Sequence, residues 1–115
     1  AFQQTSWAII PVNHTADKQT CYHLYQLRIA DVSEEQRDAI IQEIFEQDVS
    51  VNVHFQPLPL LTAYKNLGYQ MADYPEAWNK YSTEISLPVY FNLTDEQVQQ
   101  VIAAVNTAVF KVLQK

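Results

Sequence analysis

Residues 22–55 read YHLYQLRIADVSEEQRDAIIQEIFEQDVSVNVHF, and this run decides the fold. Tyr22 to Ile29 is rich in β-formers. Alternation puts His23, Tyr25, Leu27 and Ile29 on one face and Tyr22, Leu24, Gln26 and Arg28 on the other, so a strand is expected. Ser33-Glu34-Glu35-Gln36 is a capping box, in which the serine hydroxyl accepts from the third helical N–H and the glutamine reaches back to the cap. Ala39, Ile40, Ile41, Ile44 and Phe45 then recur at helical spacing, leaving Arg37, Asp38, Gln42, Glu43, Glu46 and Gln47 for solvent. Val51, Val53 and Phe55 alternate with Asn52, His54 and Gln56 until Pro57 stops the run, which predicts a short half-buried strand. The unit reads as strand, helix, strand.

Working outward, residues 1–20 show no sustained period and read as a lead-in segment and loop, so residues 21–115 are expected to form a single domain. From Pro57 to Tyr69 two prolines and the sole glycine, Gly68, frame a turn followed by a short helix. Asp73 to Glu84 reads as a helix with Pro75 in its first turn, where the missing N–H is not needed. Ile85 to Tyr90 reads as an edge strand interrupted by Pro88. Thr94-Asp95-Glu96-Gln97 is a second capping box. Behind it Val98, Val101, Ile102, Val105, Ala108, Val109, Val112 and Leu113 form an apolar stripe running down to Lys115. Two capped amphipathic helices need an apolar sheet to cover, so the fold class is α+β: a small sheet of about three strands with helices packed on one face.

Composition narrows the function classes. The chain has 115 residues, 48% of them hydrophobic and 17% charged, which is one packed core's worth of chain. Seven basic residues face 13 acidic ones, a net charge of -6, so a phosphate-binding surface for nucleic acid is not expected. A single glycine rules out glycine-rich phosphate loops. No apolar run approaches the ~20 residues of a membrane span. Cys21 is the lone cysteine, which suits a reducing compartment and sets the expectation of a cytoplasmic protein.

Few side chains carry chemistry. His14 sits in a polar loop and reads as solvated, and His23 reads as a hydrogen-bonded core residue on its strand face. His54, on the polar face at a strand end, is the candidate for a ligand contact. No metal-ligand spacing occurs, and Cys21 with His23 lacks a third orienting group. Seven tyrosines, five phenylalanines and two tryptophans exceed what a small core needs, which points to an interface.

Five segments in order, Tyr22-His23-Leu24-Tyr25, Val53-His54-Phe55-Gln56-Pro57-Leu58, Tyr64-Lys65-Asn66-Leu67-Gly68-Tyr69, Ile85-Ser86-Leu87-Pro88-Val89-Tyr90 and Leu93-Thr94-Asp95-Glu96-Gln97-Val98, resemble the C-terminal small domain of DegT/DnrJ/StrS-type sugar aminotransferases. The likeness spans about Ile10 to Leu113. It implies the small domain of an aspartate-aminotransferase-like fold, with a large N-terminal domain supplying the pyridoxal phosphate site, including the Schiff-base lysine. None of Lys18, Lys65, Lys80, Lys111 and Lys115 resembles that lysine, so the chain alone is expected neither to hold the cofactor nor to transaminate. For the parent protein the resemblance implies amino transfer, with glutamate as donor, to a nucleotide-linked keto sugar, in a homodimer. It carries His54 and Phe55 to the substrate-facing wall, although alternation alone puts Phe55 in the core. The sequence departs from the family at Pro59, where a histidine is frequent, and at Thr62-Ala63-Tyr64, which leaves the sugar open. The alternative is a freestanding, non-catalytic binding or oligomerisation domain.

Overall fold

A computed structural model describes residues 1–114. Seven strands and α-helices follow one another: β1 (Ala8–Ile9), β2 (Tyr25–Ile29), α1 (Glu34–Phe45), α2 (Thr62–Asn66), α3 (Pro75–Thr83), β3 (Glu84–Leu87) and α4 (Asp95–Leu113). The strands make one antiparallel sheet in the order β1-β2-β3, with Tyr25 opposite Leu87 and Arg28 opposite Glu84. The α+β class and the three-strand count are as expected. The membership of the sheet is not.

Residues 51–55 do not form a strand. Their main-chain donors are taken by side chains instead of a ladder: Val53 N–H donates to Asn52 Oδ1 at 2.8 Å and His54 N–H to Glu84 Oε2 at 3.0 Å. Only an isolated bridge between Asn52 and Ser86 remains of the expected pairing. The third strand comes from the opening stretch, where Ala8 and Ile9 pair with Ile29 and Arg28. Phe2 and Trp7 from that stretch stack at 5.8 Å and join the core. β2 begins at Tyr25, three residues later than expected, because Tyr22 adopts a left-handed φ of 56° that interrupts extended backbone.

Both capping boxes form. Ser33 accepts from Gln36 N–H while Gln36 reaches back to Ser33, and Thr94 and Gln97 repeat the arrangement on α4. α4 ends at Leu113, and the expected extension to Lys115 lies outside the described residues. Pro75 occupies the first turn of α3, which stops at Thr83 so that Glu84 begins β3. Leu27, Ile29, Ile85 and Leu87 give the sheet its apolar face. Ile40 and Ile44 of α1, with Val101, Ala104, Val105, Ala108 and Val109 of α4, cover it. Each buried leucine, isoleucine or valine among them is worth about 1.5–3 kcal/mol, so this two-layer seam dominates the core.

Arg37 corrects the solvent face read for α1, since it is only 1% exposed. Its guanidinium donates to the Tyr81 carbonyl at 2.6 Å and the Glu84 carbonyl at 3.0 Å, and lies 5.1 Å from the centre of the Tyr81 ring. The last carbonyls of a helix lack intrahelical partners and attract a cation. Arg37 therefore ties α1 to the junction where α3 becomes β3. Phe45, expected on the buried stripe, is exposed.

Candidate functional site

The sheet has a second, polar face. Side chains alternate along a strand, so with Leu27, Ile29, Ile85 and Leu87 turned to the core, Gln26, Arg28, Glu84 and Ser86 stand on the opposite side. A cleft of about 710 Å³ opens over that face. The stretch after β1 and the His54-Phe55 segment form two of its walls, and α3 contributes Ala77, Lys80 and Tyr81 to a third. This cleft and the core lie on opposite sides of one three-stranded sheet.

His54 is held into the cleft by its own backbone. Its N–H donates to Glu84 Oε2 at 3.0 Å, and its carbonyl accepts from Gln26 Nε2 at 2.8 Å, so both strands of the polar face grip the same peptide segment. The imidazole is left free of that duty. Its Nδ1 is buried and has no hydrogen-bond partner among the described residues, an arrangement that costs free energy unless another group reaches it. The Phe55 ring stands edge-on to the imidazole at 4.6 Å and is 76% exposed, which corrects the core position that alternation suggests.

Glu84 organises the site. It is 4% exposed, and its second carboxylate oxygen accepts the Ser86 hydroxyl. Burial pushes its carboxyl above the ordinary range. The Ser86 and His54 hydrogen bonds, and the charges of His54 and Arg37, oppose that shift without cancelling it. Arg37, from the other side of the sheet, fixes the Glu84 carbonyl. One residue is thus locked through its main chain to α1 and through its side chain to His54.

Of the other histidines, His23 also lines the cleft, exposed, with its Nδ1 3.1 Å from Cys21 Sγ, so the core reading of His23 does not hold. His14 is exposed in a hairpin where it bridges Gln19. No group of three or more potential metal ligands gathers among the described residues. Sequence reasoning singled out His54 and Phe55 but missed Gln26, Arg28, Glu84 and Ser86. The available signal was the alternation Glu84-Ile85-Ser86-Leu87, obscured by assigning Glu84 to the end of a helix.

The model of the DegT/DnrJ/EryC1/StrS aminotransferase family matches residues 1–106. The chain is 35% identical over 114 residues to the spore coat polysaccharide biosynthesis protein SpsC of Bacillus subtilis, covering 95% of this chain and 28% of that one. Among solved structures it is similar to the putative sugar aminotransferase Spr1654 from Streptococcus pneumoniae. The PMP-form gives a TM-score of 0.91 at 41% identity over 96% of this chain and 28% of that chain, and the PLP-form gives 0.90 at 41% identity. The aminotransferase PseC of Helicobacter pylori shares the fold, with a TM-score of 0.81 at 24% identity over 93% of this chain and 28% of that one. The chain thus spans about 28% of the length of these relatives. No helix among the described residues is long and apolar enough to cross a membrane.

Proposed function

The chain belongs to the DegT/DnrJ/EryC1/StrS aminotransferase family, and on that premise we propose that it is the small domain of a pyridoxal-phosphate-dependent sugar aminotransferase, closing the pocket in which glutamate aminates a nucleotide-linked keto sugar. In this reading residues 21–115 form the body of the small domain, to whose sheet the preceding stretch adds β1. The segment before Cys21 leads in from a large domain while packing Phe2 and Trp7 into this core. Pyridoxal phosphate, held by the large domain, supplies the electron sink for amino transfer. The cleft fits a wall of such a pocket and not a complete cofactor seat, because its one acid, Glu84, already has both oxygens engaged.

The observation that carries the reading is the held His54. Two strands clamp its backbone while a buried, unpartnered Nδ1 lies beside an exposed phenylalanine in the lining of the cleft. That geometry suits a substrate hydroxyl or carbonyl as the missing partner, with the Phe55 ring excluding water from the same spot. Two of the similar proteins support the class of reaction: the putative sugar aminotransferase Spr1654, solved in PLP and PMP forms, and the spore coat polysaccharide biosynthesis protein SpsC. The parent is proposed to act as a cytoplasmic homodimer.

The test is kinetic. In the protein that joins this chain to its large domain, His54→Ala is expected to lower kcat/KM for the keto sugar by roughly 10- to 100-fold with cofactor loading unchanged, the loss of one or two hydrogen bonds in a closed pocket. Wild-type sugar kinetics in that variant would remove His54 from the site.

A further inference from the structure

The polar face of the sheet carries a cation that its surroundings leave unpaired. Arg28 is the cross-strand partner of Glu84, a register at which opposite charges ordinarily meet. Glu84 instead spends its carboxylate on the Ser86 hydroxyl and the His54 N–H. Lys80, on α3, lines the same cleft, and no ion pair among the described residues uses either Arg28 or Lys80. Glu84 is the single acid in the lining, while Arg28, Lys80 and two histidines share it. In a chain with 13 acidic against 7 basic residues, this cleft reverses the overall sign. Concave surfaces of one sign concentrate ions of the other.

We infer that Arg28 and Lys80 form an oxyanion-binding subsite in the cleft, taking a carboxylate or phosphate group of a bound substrate. The inference rests on the reading that this cleft faces substrate, and it deepens that reading by naming the charge of the group received. The guanidinium of Arg28 offers a planar fork that matches either group bidentately, and Lys80 adds a point charge from the helix side. Both cations stand free because the local acid is committed elsewhere, so an incoming anion displaces no existing ion pair. A donor carboxylate and a nucleotide diphosphate share this chemistry.

The experiment is a titration of the isotope-labelled chain followed by NMR at low ionic strength, once with inorganic pyrophosphate and once with glutarate. Shifts are expected at Gln26, Arg28, His54 and Lys80, with Lys65 and Lys111 as surface controls that stay still. Arg28→Gln should weaken binding roughly tenfold, the loss of one charge-assisted pairing. Lys80→Gln, on an exposed helix position, carries the test if the Arg28 variant loses its spectrum. Binding of pyrophosphate alone assigns the subsite to phosphate, and binding of glutarate alone assigns it to carboxylate. Equal shifts at the control lysines, or variants that titrate like the parent chain, overturn the inference. Anion binding requires no amino transfer, so its absence beside an intact His54→Ala effect sinks this subsite alone.

Discussion

Glu84 illustrates how much one side chain decides here. Its carboxyl is held above the ordinary value of 4.5, first by burial, so the folded state keeps a proton that the unfolded chain has already released. The sign follows from linkage. Stability from this group is fully present below the unfolded pKa and is lost as pH rises from about 4.5 through the raised folded value. Glu84→Gln removes the ionisation while its amide still accepts from His54 N–H and donates to the Ser86 hydroxyl. Urea unfolding at several pH values from 4.5 to 7 should therefore show the wild-type chain losing stability relative to Glu84→Gln as pH rises. A constant difference would mean the carboxyl does not titrate in that window. Arg37 acts on the same node from the other side of the sheet. Arg37→Met strands two carbonyls, on Tyr81 and Glu84, and is expected to cost about 3 kcal/mol by the same unfolding measurement. Neither role was legible in the sequence. The partners of Arg37 lie 44 and 47 residues away, and helical periodicity counts an arginine between polar neighbours as solvated.

At the level of elements, legibility followed how local the determinants are. Ser33-Glu34-Glu35-Gln36 and Thr94-Asp95-Glu96-Gln97 announce their helices because donor and acceptor lie three residues apart, and both boxes close as read. Ser33→Ala and Thr94→Ala should each cost about 1 kcal/mol, and nearly additively, since the caps sit on different helices. A sum well short of that in the double variant would mean the two helix starts communicate. Residues 51–55 had the alternation of a strand without its hydrogen bonds, because a buried glutamate and a neighbouring asparagine took the donors. β1, two residues long, has no period to read, and its place in the sheet depends on Ile29 and Arg28 opposite it. The candidate site was half legible for the same reason. His54 stood out by residue type, whereas the polar face behind it emerges only when β2 and β3 are brought into register.

Across the whole molecule, many large apolar side chains stand exposed. The radius of gyration is 15.4 Å, against about 13 Å for a compact domain of this length. Phe91 is fully exposed at 101% and Leu67 at 73%, and the run from Leu58 to Trp78 leaves Leu58, Tyr69 and Tyr74 in water as well. Exposed apolar area on this scale marks an interface, and the chain spans 28% of the length of its relatives, which fits the proposed large domain as the other side. The isolated chain is accordingly expected to bind ANS, with the fluorescence falling when the large domain is joined to it. The most direct measurement is amino transfer from L-glutamate to nucleotide-linked keto sugars with pyridoxal phosphate, by the chain alone and by the chain joined to its large domain. Turnover is expected only in the joined protein, reduced there by His54→Ala. Amino transfer by the chain alone, or a joined, cofactor-loaded protein that aminates no keto sugar, would contradict it.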